Sequence, residues 1–285
     1  MRSTHKREAH TGRRAALGAM AAMLADGFVA TSRAAVGEGA TSDVAPLDPA
    51  LQIRRTIPRT SESIPVIGLG TWQSFDVAGD ARGLADAREA LRLFHASGAR
   101  VIDSSPMYGS SRMRAARIDL MQIHNLVDWR THLETLRAWK GEGRIRYLGF
   151  THYTVSSHPE IASLMRRERP DFVQIDYSVA NRDVEREVLP VAQELGVGVL
   201  VNQPFESGRL FSLVKGRTLP SWAADIDCAS WAQFFLKFVV AHPAVTCAIP
   251  ATREPRHLVD NLHGGIGRLP DRATRERMAA HIASL

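Results

Sequence analysis

The sequence predicts an α/β fold: a barrel of parallel strands, each followed by a helix. Three observations carry that expectation. Short runs rich in Val and Ile recur along the chain, each as long as a strand buried on both faces. Between them lie segments whose apolar residues repeat at helical spacing. The 285 residues also suit a single barrel domain, which takes about 250. Repeated strand-then-helix order implies a parallel sheet with right-handed crossovers.

The first 35 residues read as a leader. A basic stretch ends in Arg13-Arg14, an Ala/Met/Leu-rich run follows to Ala30, and Ser32-Arg33-Ala34 supplies a small-x-small cleavage pattern. This order is that of a signal peptide, and the paired arginines point to twin-arginine export of a folded protein to the periplasm or beyond. The run is too short to span a bilayer comfortably and Asp26 interrupts it, so no stable membrane anchor is expected. The leader carries six basic and two acidic residues, a net of +4 out of +6 for the chain. A nucleic-acid surface needs a clustered basic patch on the folded domain, so nucleic acid is not the expected partner. Residues 36–50, rich in Ala, Gly, Ser, Thr and Pro, read as a linker. The barrel domain is expected over 51–285.

That domain opens with a hairpin, residues 52–57 and 64–69 around the polar turn Arg59-Thr60-Ser61-Glu62. Strands are then expected at 100–102, 118–123, 147–150, 172–175, 197–201 and 245–249. Leu84, Ala87, Leu91 and Phe94 make the core stripe of the first helix, and Gly98 is placed to end it. Trp129, Leu133, Leu136 and Trp139 form a second stripe, Ile161, Leu164 and Met165 a third, and Val184 to Leu195 a fourth that ends at Gly196. Cys228 and Cys247 have no metal-type spacing and read as small buried residues, so no metal site is expected. One junction breaks the alternation. Only Arg112 to Arg117 separate Ser111 from the run at Ile118, whereas a parallel crossover needs about a dozen residues.

Polar residues stand at the C-terminal ends of the predicted strands, the face where barrel enzymes build active sites. Asp103 ends one run and leads into Ser104-Ser105-Pro106-Met107-Tyr108-Gly109. His124 ends another, Thr151 and His152 follow a third, and Gln174 lies within a fourth. An Asp, a Tyr and a His so placed suit proton transfer, although an Asp at a strand end often only caps a helix.

Three segments in order, Gly68-Leu69-Gly70-Thr71-Trp72, Val101 to Gly109 and Asp119 to Asn125, are similar to aldo-keto reductases, as is the tail from Ile249-Pro250-Ala251-Thr252 to Asp260-Asn261. The likeness runs from about residue 60 to 265. It implies a (β/α)8 barrel of the TIM type, and an oxidoreductase that reduces a small aldehyde or ketone with NADPH or NADH. By that resemblance Tyr108 donates the proton, His124 orients the carbonyl oxygen, and Asp103 holds a lysine that tunes the tyrosine. Free Tyr titrates near 10, so a poised donor needs a nearby cation. The family's lysine ends the third strand, and the shortened junction falls there, so the third β/α unit and its lysine are expected to be missing. Lys140 and Lys215 lie elsewhere in the pattern, and Arg112, Arg114 and Arg117 occupy the junction.

The resemblance also places the cofactor. It assigns Thr151, His152 and Gln174 to the nicotinamide carboxamide. Gln203, Phe205, Ser207, Gly208 and Arg209 fall in the pyrophosphate loop, and Thr252, His257, Asp260 and Asn261 in the adenosine-phosphate region. Asn202 stands where many members stack an aromatic ring on the nicotinamide. Gly264-Gly265-Ile266-Gly267 follows no strand and reads as a loop, not a dinucleotide fingerprint. Two function classes follow: a carbonyl reductase, or a noncatalytic nucleotide-binding relic of one.

Overall fold

A computed structural model describes residues 44–109 and 117–285, all within one unit, Ser42–Leu285. The expected leader, the first part of the expected linker, and Arg112 and Arg114 lie outside the described residues. The linker reading needs correction at its end. Leu47 is buried, its amide donates to Ser97 Oγ at 2.9 Å, and Asp48 caps a 3-10 turn over Pro49–Leu51, so 44–50 pack as part of the barrel.

The hairpin forms as strands β1 (Arg54–Thr56) and β2 (Ser63–Pro65), antiparallel, with Arg55 opposite Ile64. Strand β3 (Leu69–Gly70) pairs in parallel with β4 (Ile102–Asp103), and helix α1 (Ala81–Ala96) connects them. Five more parallel strands follow in sequence order: β5 (Leu120–His124), β6 (Tyr147–Thr151), β7 (Phe172–Asp176), β8 (Gly198–Asn202) and β9 (Cys247–Ala248). Single parallel bridges, Ile67 with Ala248 and Gly70 with Ala251, join the β9 segment to β3. The strands thus form one curved arc, β5-β6-β7-β8-β9-β3-β4. Among the described residues β4 pairs only with β3, and β5 only with β6.

Helices α2 (Trp129–Gly141), α3 (His158–Glu168), α4 (Val188–Leu195) and the short α5 (Arg209–Leu213) follow successive strands. After them come α6 (Trp231–Val240), α7 (Pro255–His263) and α8 (Arg272–Ala283). Local chemistry sets their ends. The Asp80 carboxylate accepts from Gly83 N, opening α1, and Gly98, at φ +77°, lets the chain leave it. The stripe read for α1 shifts: Leu84 is exposed, and Ala87, Ala90, Leu93 and Phe94 face the core.

Strand alternation sorts side chains into two clusters. Ile123, Phe150, Val173, Val199 and Val201 point out and pack with residues such as Leu164, Leu189 and Phe234 of the helices. Phe172, Leu200, Cys247 and Ile249 point in and meet Ile57 and Ile64 of the hairpin, which closes the N-terminal end of the arc. Gly198 makes room for this plug: a Cβ there would stand 2.6 Å from the Phe172 ring. Each fully buried aliphatic or Phe side chain in these clusters contributes about 1.5–3 kcal/mol. Both cysteines are buried and free. No helix among the described residues is long and apolar enough to cross a membrane.

Candidate active site

Because the hairpin fills one end, the open end of the arc is the C-terminal end of the strands. A cavity of about 670 Å³ lies there. Asp103 reaches it from the end of β4, opposite Gly70 of β3, and its backbone carbonyl is pinned by Thr71, which donates through N at 3.1 Å and Oγ1 at 3.0 Å. Burial pushes the Asp103 carboxyl up to about 6, against the opposing effect of a hydrogen bond from Gln174.

The six residues after Asp103 form a tight turn. Tyr108 N donates to Ser105 O at 3.0 Å. Gly109 has φ +61°, and a Cβ there would stand 2.5 Å from an Asp76 carboxylate oxygen, so a side chain would be strained and would push Asp76 aside. This turn brings Tyr108 into the cavity wall. Burial, and then the charge of Asp103, push the Tyr108 phenol up to about 12.

His124 ends β5 and pairs in register with Thr151 of β6, which itself pairs with Gln174 of β7. All three line the cavity. Gln122, two residues before His124 and therefore on the same inward face, donates through Nε2 to Gln174 Oε1 at 2.7 Å. Asn202, at the end of β8, donates through Nδ2 to His152 O at 3.0 Å. Its Oδ1 is buried and, among the described residues, without a partner.

The loop after β8 supplies Gln203, Phe205, Ser207 and Gly208 to the wall. Gln203, Glu206, Ser207 and Gly208 all have positive φ, and a side chain at Gly208 would meet nothing within 4 Å. Phe205 holds the loop down through Phe211 and Phe235, with ring centroids 4.8 and 6.4 Å away. Trp72, Met107, Tyr153 and Phe211, all large and exposed, edge the mouth.

The cavity therefore gathers Asp103, Tyr108, His124, Thr151, Gln174, Gln203, Phe205, Ser207 and Gly208. Its wall does not include His152, Arg209, Thr252, His257, Asp260 or Asn261. His152 builds a turn: its Nδ1 accepts from Tyr153 N at 3.0 Å and Thr154 N at 3.3 Å, and burial lowers its pKa. Arg209 pairs with Glu206, Nε to Oε2 at 2.6 Å. Thr252 Oγ1 accepts from Glu254 N at 3.1 Å, next to the start of α7, and His257 is exposed on that helix. Asn261 is buried. The Asp260 carboxylate accepts from Ser230 Oγ at 2.8 and 3.0 Å and from Gln233 Nε2 at 2.6 Å. It ties α7 to the start of α6.

Gln122, behind the wall, and Tyr153 and Phe211, in it, are not among the residues the sequence pointed to. Inward alternation with His124 was the available signal for Gln122. Lys140 is paired with Asp171 at 2.6 Å, Lys215 is exposed, and Lys237 is buried and donates to the carbonyls of Ile266 and Arg268. None of the three lines the cavity.

Residues 110–274, more than half of the chain, match the Aldo/keto reductase family. The chain belongs to that family. The matched span begins just after Tyr108, so Asp103 and Tyr108 stand outside it. A probable aldo-keto reductase from Glycine max is 29% identical over 119 residues, 38% of this chain and 33% of the relative, so the chain spans about a third of that relative's length. Among solved structures, an aldo-keto reductase from Klebsiella pneumoniae in complex with NADPH superposes with a TM-score of 0.62 at 21% identity, covering 81% of this chain and 95% of that one. The holo form of one from Bacillus halodurans gives 0.59 at 16%, covering 81% and 96%. These likenesses establish the aldo-keto reductase barrel as the fold.

Proposed function

We propose that this aldo-keto reductase reduces the carbonyl of a small aldehyde or ketone, using NADPH or NADH. The observation that carries this reading is the convergence of Asp103, Tyr108 and His124, from two separate segments, on one cavity at the C-terminal ends of the strands. The wall also fits a nicotinamide nucleotide. Gly208 leaves open space where a side chain would stand, a cradle of exposed backbone suited to a phosphate.

When bound, the nicotinamide supplies the hydride. Tyr108 holds a proton at its phenol oxygen, and with its pKa near 12 it keeps that proton at neutral pH. It is then a donor for a carbonyl oxygen as negative charge builds there. His124 stands in the same wall as a second polar group for that oxygen. Asp103 is ionised above pH 6, and its charge strengthens the hold of Tyr108 on its proton. Donation is therefore slower than from a tyrosine beside a cation. The shortened junction, together with the lack of pairing between β4 and β5 among the described residues, supports the loss of one β/α unit and its lysine.

The raised Tyr108 pKa is also what favours the second reading, a noncatalytic nucleotide binder. Single-turnover hydride transfer on a carbonyl panel separates the two: saturable NADPH or NADH binding with no transfer to any carbonyl sinks the reductase. We further infer export by the twin-arginine route to the periplasm or beyond, supported by Arg13-Arg14 and the apolar run after them. Arg13→Lys with Arg14→Lys should retain the precursor inside the cell; unchanged export rejects it.

A further inference from the structure

Two side-chain amides in the cavity wall have fixed orientations. Gln174 accepts at Oε1 from Gln122 Nε2 at 2.7 Å, and its NH2, which gives one hydrogen to Asp103, has a second hydrogen to donate. Asn202 donates from Nδ2 to His152 O at 3.0 Å. Turning the Asn202 amide over would set two acceptor oxygens against each other, so Oδ1 stays on the far side. There it is buried and, among the described residues, unpartnered. Gln122 Oε1 is likewise unpartnered, but Gln122 does not line the cavity, whereas Asn202 does. The two residues sit on adjacent strands, with Gln174 opposite Leu200 and Asp176 opposite Asn202 in register.

A buried acceptor without a partner is costly, and a ligand donor that reaches it removes the cost. A donor from Gln174 beside an acceptor from Asn202 is the complement of a primary carboxamide, whose oxygen accepts and whose NH2 donates. We propose that Asn202 is a cofactor-specificity residue, its Oδ1 accepting a hydrogen bond from the carboxamide NH2 of the nicotinamide. An asparagine here recognises that group by its amide hydrogens, which an aromatic ring in the same place cannot do. The assignment rests on the nicotinamide reading of the cavity, and it concerns binding, not the proton transfer.

Cofactor analogues test it without turnover. The full chain is titrated by calorimetry and by its Trp fluorescence, Trp72 being in the cavity wall. The probes are the better of NADPH and NADH, its 3-acetylpyridine analogue, where CH3 replaces the NH2, and its thionicotinamide analogue, which keeps the NH2. The native protein should bind the first and third within about threefold of each other and the acetylpyridine analogue about tenfold or more weakly, since a site built to pair a donor rejects a ligand that lacks it. In Asn202→Leu the natural cofactor should weaken by a similar factor and the acetylpyridine analogue should not, so the ratio falls to near one. Asn202→Ser provides a second, smaller replacement. General damage to the pocket would weaken every probe alike and leave the ratio, so a ratio that persists in both variants overturns the assignment. Equal binding of the cofactor and the acetylpyridine analogue by the native protein also overturns it, leaving the cofactor reading intact. Binding of none of the three removes the cofactor reading and this assignment with it.

Discussion

The two ends of this barrel treat polar groups in opposite ways. At the hairpin end, polar groups are paired. Arg55 donates to the carbonyls of His242 at 2.9 Å, Val240 at 3.1 Å and Val245. Glu62 takes Arg146 at 2.6 Å and the Tyr147 hydroxyl at 2.8 Å. At the strand C-terminal end, Asp103 is held near 6, Tyr108 near 12, and Asn202 keeps an oxygen with no partner among the described residues. One end is built for stability, and the other holds groups in costly states that a ligand can relieve.

The strongest way to break this contrast is to remove a group from the open end and look for a loss of stability. Tyr108→Phe should lower carbonyl reduction by about 10²-fold, the low end of the usual general-acid range because its raised pKa makes Tyr108 a poor donor, with the melting temperature almost unchanged. Reduction by the native protein should stay flat from pH 7 to 10, since Tyr108 keeps its proton until about 12. The reverse oxidation, which needs tyrosinate, should rise with pH across that range. Steady-state rates in both directions check this, and parallel profiles would take Tyr108 out of the reaction.

The next effect belongs to the sealed end. Arg55→Ala leaves carbonyl groups of the β9 approach without their donor and should cost about 3 kcal/mol, measured by urea unfolding. Cofactor affinity of the folded fraction should not move. If it does, the two ends are coupled.

Asp103→Asn should act in the opposite sense. An unfolded aspartate titrates near 3.9, while the folded one is raised to about 6, so between those values the native state holds a proton the unfolded chain has lost. Stability contributed here falls as pH rises through that window and stays lower above it. The variant should therefore be more stable than the native protein by about 1–2 kcal/mol at pH 7.5 and equal to it at pH 3.5. Equal stability at both pH values would mean Asp103 is not held in a costly state.

Glu62→Gln gives the smallest effect. Hydrogen bonds from Arg146 and Tyr147 hold its carboxyl below the usual range, so its contribution is present above about 4.3 and lost as pH falls. The side chain is 36% exposed, and solvent screening limits the contribution to less than about 1 kcal/mol. Thermal melts at pH 7 and pH 3 check it.

Regular elements were legible where local pattern and burial agree. The strand expected at 172–175 forms as Phe172–Asp176, and Gly196 ends α4 with φ +62°. The reading slipped where a neighbour decides. Leu84 fits the helical stripe of α1 but falls on its solvent side, because the wall that α1 packs against is met by Ala90, Leu93 and Phe94. Residues 44–50 have a linker's composition, yet Leu47 finds a slot beside Ser97.

The sequence by itself determined the alternation of strand and helix, the hairpin, and Asp103 and His124 at strand ends with Tyr108 in the turn after Asp103, because period, caps and turn residues are local properties. Only the tertiary structure decided which polar groups meet. Asp260 turns to Ser230 and Gln233 on α6, and Gln122 fixes Gln174 across two strands. Asn202 spends its donor on His152 and keeps its acceptor. Hydrogen-bond partners so far apart in sequence are set by strand register and crossover geometry, which no local pattern encodes.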